Sequence, residues 1–124
     1  MKTKIISLAL VIACGLFLLA GCGKSSNHST NPTSSGDTPV AAASVSIVNF
    51  AFSPATVHVK IGGTVTWTNK DASPHTATDL NGSFDSGSLA TDKIFTKKFS
   101  TAGTFTYHCT IHSMMPNATV VVGN

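Results

Sequence analysis

From Ser44 to the end of the chain, apolar and polar residues alternate in short stretches, and nowhere do apolar residues recur at a helical period over ten positions. The runs are Val45-Ser46-Ile47, Val57-His58-Val59-Lys60-Ile61, Val65-Thr66-Trp67, Phe105-Thr106-Tyr107 and Thr119-Val120-Val121-Val122. Threonine, valine and aromatic residues dominate them, the side chains that suit a pleated, half-buried surface. Turn signals separate them at Ser53-Pro54, Gly62-Gly63, Asn69-Lys70-Asp71, Asn81-Gly82, Ser86-Gly87 and Ala102-Gly103. Short strands punctuated in this way predict an all-β sandwich or barrel of about seven or eight strands. A domain of roughly 80 residues is small enough that a bound metal adds useful stability.

The chain ahead of that domain has a different character. Met1-Lys2-Thr3-Lys4 supplies a basic start, Ile5 to Ala20 an apolar run, and Leu19-Ala20-Gly21-Cys22 small residues at a cleavage point. That order of features predicts a secretory signal over residues 1–21. The last four residues resemble the lipobox of bacterial lipoproteins, which implies cleavage before Cys22 and lipid on that cysteine. Residues 22–43 are crowded with Ser, Thr, Asn, Gly and Pro and nearly free of large apolar side chains, so they read as a flexible tether. His28 falls in this stretch without metal-spaced neighbours and reads as a solvated residue. The expected protein is exported and lipid-anchored, with its domain on the extracytoplasmic or periplasmic face of a membrane.

The cysteine count then becomes informative. Of three cysteines, Cys14 leaves with the signal and Cys22 carries lipid, so the domain keeps Cys109 alone and cannot form an internal disulfide. A lone thiol in an oxidising compartment needs an occupant, and a metal is the usual one. Strand parity sorts the histidines. Phe105, Tyr107 and Cys109 share one face, so His108 points away from it, and His58 between inward Val57 and Val59 also points outward. His112 lies three residues after Cys109, past the strand end. His75 follows Pro74, which restricts where the imidazole can point. Met115 can reach back over the same spot.

Two imidazoles, one thiolate and a weak thioether form the donor set that selects copper in its trigonal electron-transfer geometry. A structural zinc site commonly uses paired cysteines and four strong ligands. Hydrolytic chemistry has no support either: the chain contains no Glu, and Asp71, Asp79, Asp85 and Asp92 occupy polar stretches that read as remote from the cluster.

The segment Tyr107-His108-Cys109-Thr110-Ile111-His112-Ser113-Met114-Met115, with Pro74-His75 upstream, resembles the cupredoxins, and among them the amicyanin, pseudoazurin and plastocyanin branch. The likeness runs from Val45 to Val122 and implies a Greek-key, cupredoxin-like arrangement of the strands. It includes Val65-x-Trp67-x-Asn69, the Phe84-Asp85-Ser86-Gly87 loop and the Phe99 to Tyr107 approach to the cysteine. It implies copper ligation by His75, Cys109 and His112, with Met115 rather than Met114 as the long axial ligand. It also implies that the backbone N–H of Thr76 donates to the Cys109 sulfur, with Thr110 in the same surroundings. Ile111 and Ser113 stand where the family often has proline, and Pro116 follows Met115 where smaller or charged residues are frequent. These departures bear on the reduction potential and on the pH response of His112, and leave the ligands intact.

The resulting expectation is a monomeric, membrane-tethered one-electron carrier with one mononuclear copper, and not an enzyme. Its electron port is the edge of His112, ringed by an apolar docking patch of Ile111, Met114 and Pro116 for an unidentified redox protein. The alternative is a copper-binding lipoprotein for sequestration or delivery, which uses the same ligands. A metal-free adhesion domain leaves the four converging ligands unexplained. Charge adds little: from Cys22 onward six lysines face five aspartates, too small an asymmetry for strong steering. No basic helix or aromatic-interleaved basic strip points to nucleic acid.

Overall fold

The structure, a computed structural model, describes residues 38–124. The expected signal at 1–21, the lipidation site Cys22, His28 and the tether as far as residue 37 lie outside the described residues. Seven strands make up the fold, with no helix among the described residues: β1 Val40–Val48, β2 Ala51–Ser53, β3 Thr56–Asn69, β4 Thr78–Asp79, β5 Ile94–Phe99, β6 Gly103–His108 and β7 Ala118–Gly123. Their order is β2-β1-β3-β7-β6-β4, with β5 also on β3. The sheet is mixed, because β3 runs parallel to both β1 and β7. The all-β expectation and the strand number both hold.

Two boundaries differ from the sequence reading. Strand β1 begins at Val40, ahead of the Ser44 boundary, and Val40, Ala42 and Ala43 pair with Val59, Thr64 and Val65. Val40 to Ala43 shows no bulky alternation, yet small side chains suit this crossing. A Cβ on Gly63 would meet the Lys60 carbonyl at 2.7 Å and the Ala41 carbonyl at 3.1 Å, so the two backbones approach too closely for larger residues. The second difference is at Gly62-Gly63, which is a bend inside one 14-residue strand rather than a turn between two. Gly62 takes a φ of 82°, open to glycine without strain. Ahead of the bend, Thr56 to Lys60 pair with β7; beyond it, the strand lies between β1 and β5. One sheet is thereby bent into the two layers of a sandwich around a single core.

The core is aromatic at its centre. Trp67 is fully buried and its ring lies 5.3 Å from Phe84, 5.6 Å from Phe95 and 5.4 Å from Tyr107, the last edge to face. Val45, Ile47, Val57, Val59, Val65 and Val120 close around these rings. Their inward positions follow the period-two alternation of each strand.

Tyr107 is the chain's only tyrosine and is fully buried. Burial raises its phenol above the ordinary range. An unfolded chain ionises tyrosine near pH ~10. The group's contribution to stability is therefore constant below that pH and falls as pH rises above it, because only the unfolded state releases the proton. In an alkaline ultraviolet titration we expect phenolate absorbance to appear together with unfolding; phenolate formed in the folded protein would contradict this burial.

Three connections converge at one end of the sandwich: the two-residue turn between β1 and β2, the loop from β3 to β4, and the loop from β6 to β7. All the candidate metal ligands sit on the last two.

Candidate metal centre

His75 enters from the β3–β4 loop, which is fastened at several points. The His75 amide donates to the Leu89 carbonyl at 3.1 Å, and the Leu89 amide returns a bond to the His75 carbonyl at 2.8 Å. Asn69, fully buried at the end of β3, donates through its side-chain amide to the carbonyls of Ser73 and Leu89, each at 2.8 Å, and accepts from the Asp71 amide at 2.9 Å. A buried side-chain amide satisfied in this way rigidifies whatever it joins. Here it joins the strand end to both sides of the His75 loop.

Cys109 follows the last residue of β6 and is buried, its side chain continuing the inward parity of Tyr107. His112 lies in the loop beyond, half-buried, and the Met115 amide donates to the His112 carbonyl at 3.0 Å, turning the chain back so that Met115 is buried. Met114 is 83% exposed. Of the two methionines only Met115 faces inward, as expected for an axial ligand.

The donor atoms meet closely. Sγ of Cys109 lies 3.7 Å from Nδ1 of His75 and 3.9 Å from Nδ1 of His112, and the two Nδ1 atoms are 3.2 Å apart. A point equidistant from all three lies about 2.1 Å from each, against about 2.0–2.1 Å for a metal–imidazole bond and about 2.3 Å for a metal–thiolate one. The three atoms thus face one point at metal-bond length. His75, Cys109 and His112 are also the one cluster of metal-ligating side chains among the described residues. His58 and His108 stay out of it. His108 is opposite Thr78 on the other face of β6, and His58 lies half-buried between inward Val57 and Val59.

The family model for a cupredoxin-like domain matches residues 10–122. The chain belongs to the cupredoxin family. It is similar to amicyanin of Paracoccus denitrificans, 33% identical over 121 residues, covering 88% of this chain and 90% of the relative. Among solved structures it is similar to the Cu(I) form of an amicyanin mutant, with a TM-score of 0.61 and 32% identity over 69% of this chain and 86% of that one. A purple cupredoxin from Nitrosopumilus maritimus has a TM-score of 0.60 and 30% identity, covering 65% of this chain and 99% of that one.

The donor set of this cupredoxin fits one copper ion. His75, Cys109 and His112 supply the three strong donors, with Met115 the weak fourth, which is the combination of soft sulfur and imidazole that copper prefers. The surroundings fit as well. The Thr76 amide donates to the Cys109 sulfur at 3.4 Å, the contact implied by the family resemblance. Thr110 closes the other side: its amide donates to Thr76 Oγ1 at 2.9 Å, and the two hydroxyl oxygens are 3.1 Å apart. Hydrogen bonds around a ligating sulfur tune the metal and orient the ligand.

One sequence expectation is overturned at this site. Asp71 is not remote from the cluster. Its Oδ2 lies 3.0 Å from His75 Nε2, so the carboxylate holds the proton on Nε2 and leaves the Nδ1 lone pair free for metal. The Phe50 amide, then the Asn49 amide and His75, hold the Asp71 carboxyl below the usual carboxylate range, against an opposing push from burial. The loop places Asp71 and His75 four residues apart, and no strand or helix period in the sequence signals that their side chains meet.

Phe50 is the second residue that sequence reasoning missed. Its ring stands edge-on to both His75 and His112. The turn that carries it, Asn49-Phe50, lacks the glycine that marks such turns in a sequence.

Proposed function

We propose that this cupredoxin is a one-electron carrier, held outside the cytoplasmic membrane by lipid on Cys22 and exchanging electrons with a redox protein at the His112 edge. Bound copper supplies the one-electron couple. The observation that carries the reading is the compact triangle of His75, Cys109 and His112, anchored by Asn69, Thr76 and Asp71. Ligands held this firmly resist rearrangement between oxidation states, so little reorganisation opposes transfer.

The surface around the site supports the port. His112 is half-buried at the end of the domain, Ile111 is 45% exposed, and Met114 and Pro116 are exposed beside it. An exposed apolar rim of this kind marks a surface suited to docking a protein partner.

The test is to titrate the purified protein with Cu(II), record the visible spectrum, then reduce and reoxidise it. An intense thiolate-to-copper band that bleaches and returns over repeated cycles is the expected result. Tight binding without that band, or metal lost on reduction, would instead favour copper sequestration or delivery. Globomycin-sensitive processing, with radiolabelled palmitate on wild-type protein and none on Cys22→Ser, is expected for the lipid anchor.

A further inference from the structure

The turn between β1 and β2 is built against the preference of its own backbone. Val48 pairs with Ala51, so two residues close the hairpin, and both have positive φ: 53° at Asn49 and 57° at Phe50. Two-residue turns of this hand favour Asn followed by Gly, since a side chain at the second position crowds the backbone. A bulky residue there is an outlier, and such strain persists only where neighbouring contacts hold it. Burial does not account for Phe50, which is 41% exposed.

What its ring touches does account for it. The ring lies 5.1 Å from the His75 ring at an interplanar angle of 87°, and 5.0 Å from the His112 ring at 83°. Both are favourable edge-to-face contacts. The turn is tied to the same place: Asn49 N–H donates to Asp71 Oδ1 at 2.7 Å and Phe50 N–H to Oδ2 at 2.9 Å, and Oδ2 also takes His75 Nε2. One carboxylate therefore fixes the turn and a ligand in a single frame.

We propose that Phe50 is a positioning residue of the copper site, a ring wedged against both imidazoles and seated by Asp71, which holds the two Nδ1 atoms in register and shields the metal from competing ligands. The reading builds on the copper assignment, and the visible band of the wild-type protein checks that assignment separately.

The experiment compares Phe50→Gly and Phe50→Leu with wild type in the full chain. Glycine relieves the left-handed backbone, so the metal-free Phe50→Gly protein is expected to melt at or above the wild-type temperature. Its bound Cu(II) is expected to pass to EDTA about 10-fold faster or more, the scale on which groups supporting metal ligands act. Added azide is expected to shift the visible band of Phe50→Gly and leave that of wild type unchanged, with Phe50→Leu between the two. In metal-free protein, the imidazole 15N signals of His75 and His112 are expected to broaden in the glycine variant alone, a readout independent of copper. Wild-type transfer rates, azide response and imidazole signals in both variants would overturn the proposal. So would a Phe50→Gly protein that melts lower beside a Phe50→Leu protein with a wild-type site, which would assign the ring to packing.

Discussion

Cys109→Ser is expected to remove the thiolate-to-copper band outright, while His108→Ala keeps it. The cysteine is the one soft, anionic donor in the cluster, and the intense band of a trigonal copper site arises from that sulfur. A serine hydroxyl is a hard, protonated donor and cannot replace it. The Thr76 amide that now points at sulfur would retain an acceptor, so the loop has no reason to rearrange and the apo fold should persist. The two substitutions affect neighbouring residues with opposite facing, so the pair of visible spectra tests the strand parity directly. A folded but colourless His108→Ala protein would mean that His108 reaches the metal.

Trp67→Ala is expected to destabilise the domain by about 3–5 kcal/mol, the range for removing a large buried aromatic side chain. Trp67 is fully buried, with rings of Phe84, Phe95, Phe99 and Tyr107 around it, and no single neighbour can collapse into the space. Native domains have only about 5–15 kcal/mol in total, so the metal-free variant should unfold at much lower urea concentration, with part of it unfolded in buffer. Copper that binds only the folded state adds stability by mass action. If the aromatic cluster and the metal loops act independently, copper should raise the midpoints of variant and wild type by similar amounts. A loss below about 1 kcal/mol, within the ordinary range for single substitutions, would show that the ring cluster is not the centre of the fold.

Legibility in the sequence followed the range of each interaction. The period-two runs at Val57-His58-Val59 and Phe105-Thr106-Tyr107 showed both the strands and which histidines to discard, because parity is a property of one strand. Cys109, His112 and Met115 were legible through their spacing within one loop, and His75 through Pro74. Strand β5 was not, since Ile94 is exposed and Lys97 and Lys98 interrupt its apolar pattern; it is held by pairing with β3 rather than by its own alternation. The Gly62-Gly63 bend reads as a turn because glycine marks both, and only the close approach of the Ala41 carbonyl separates the two cases. Asp71 and Phe50 were hidden for the same reason in stronger form. Their roles depend on a turn and a loop that are remote in sequence being brought to one end of the sheet, and no local periodicity records that meeting.

The position of β7 has a consequence for how the molecule assembles. The last strand in the chain lies inside the sheet, between β3 and β6, and its parallel pairing joins residues far apart in sequence. Folds dominated by such distant contacts close slowly, because the entropy of a long loop is lost before the pairing compensates it. Until Val120 and Val122 are in place, β6 has no strand joining it to β3, and its tie to the His75 loop rests on the short pairing with β4 and on the contacts of Thr76 with Cys109 and Thr110. The frame that carries the metal loops therefore depends on a strand that follows all four ligands in the chain.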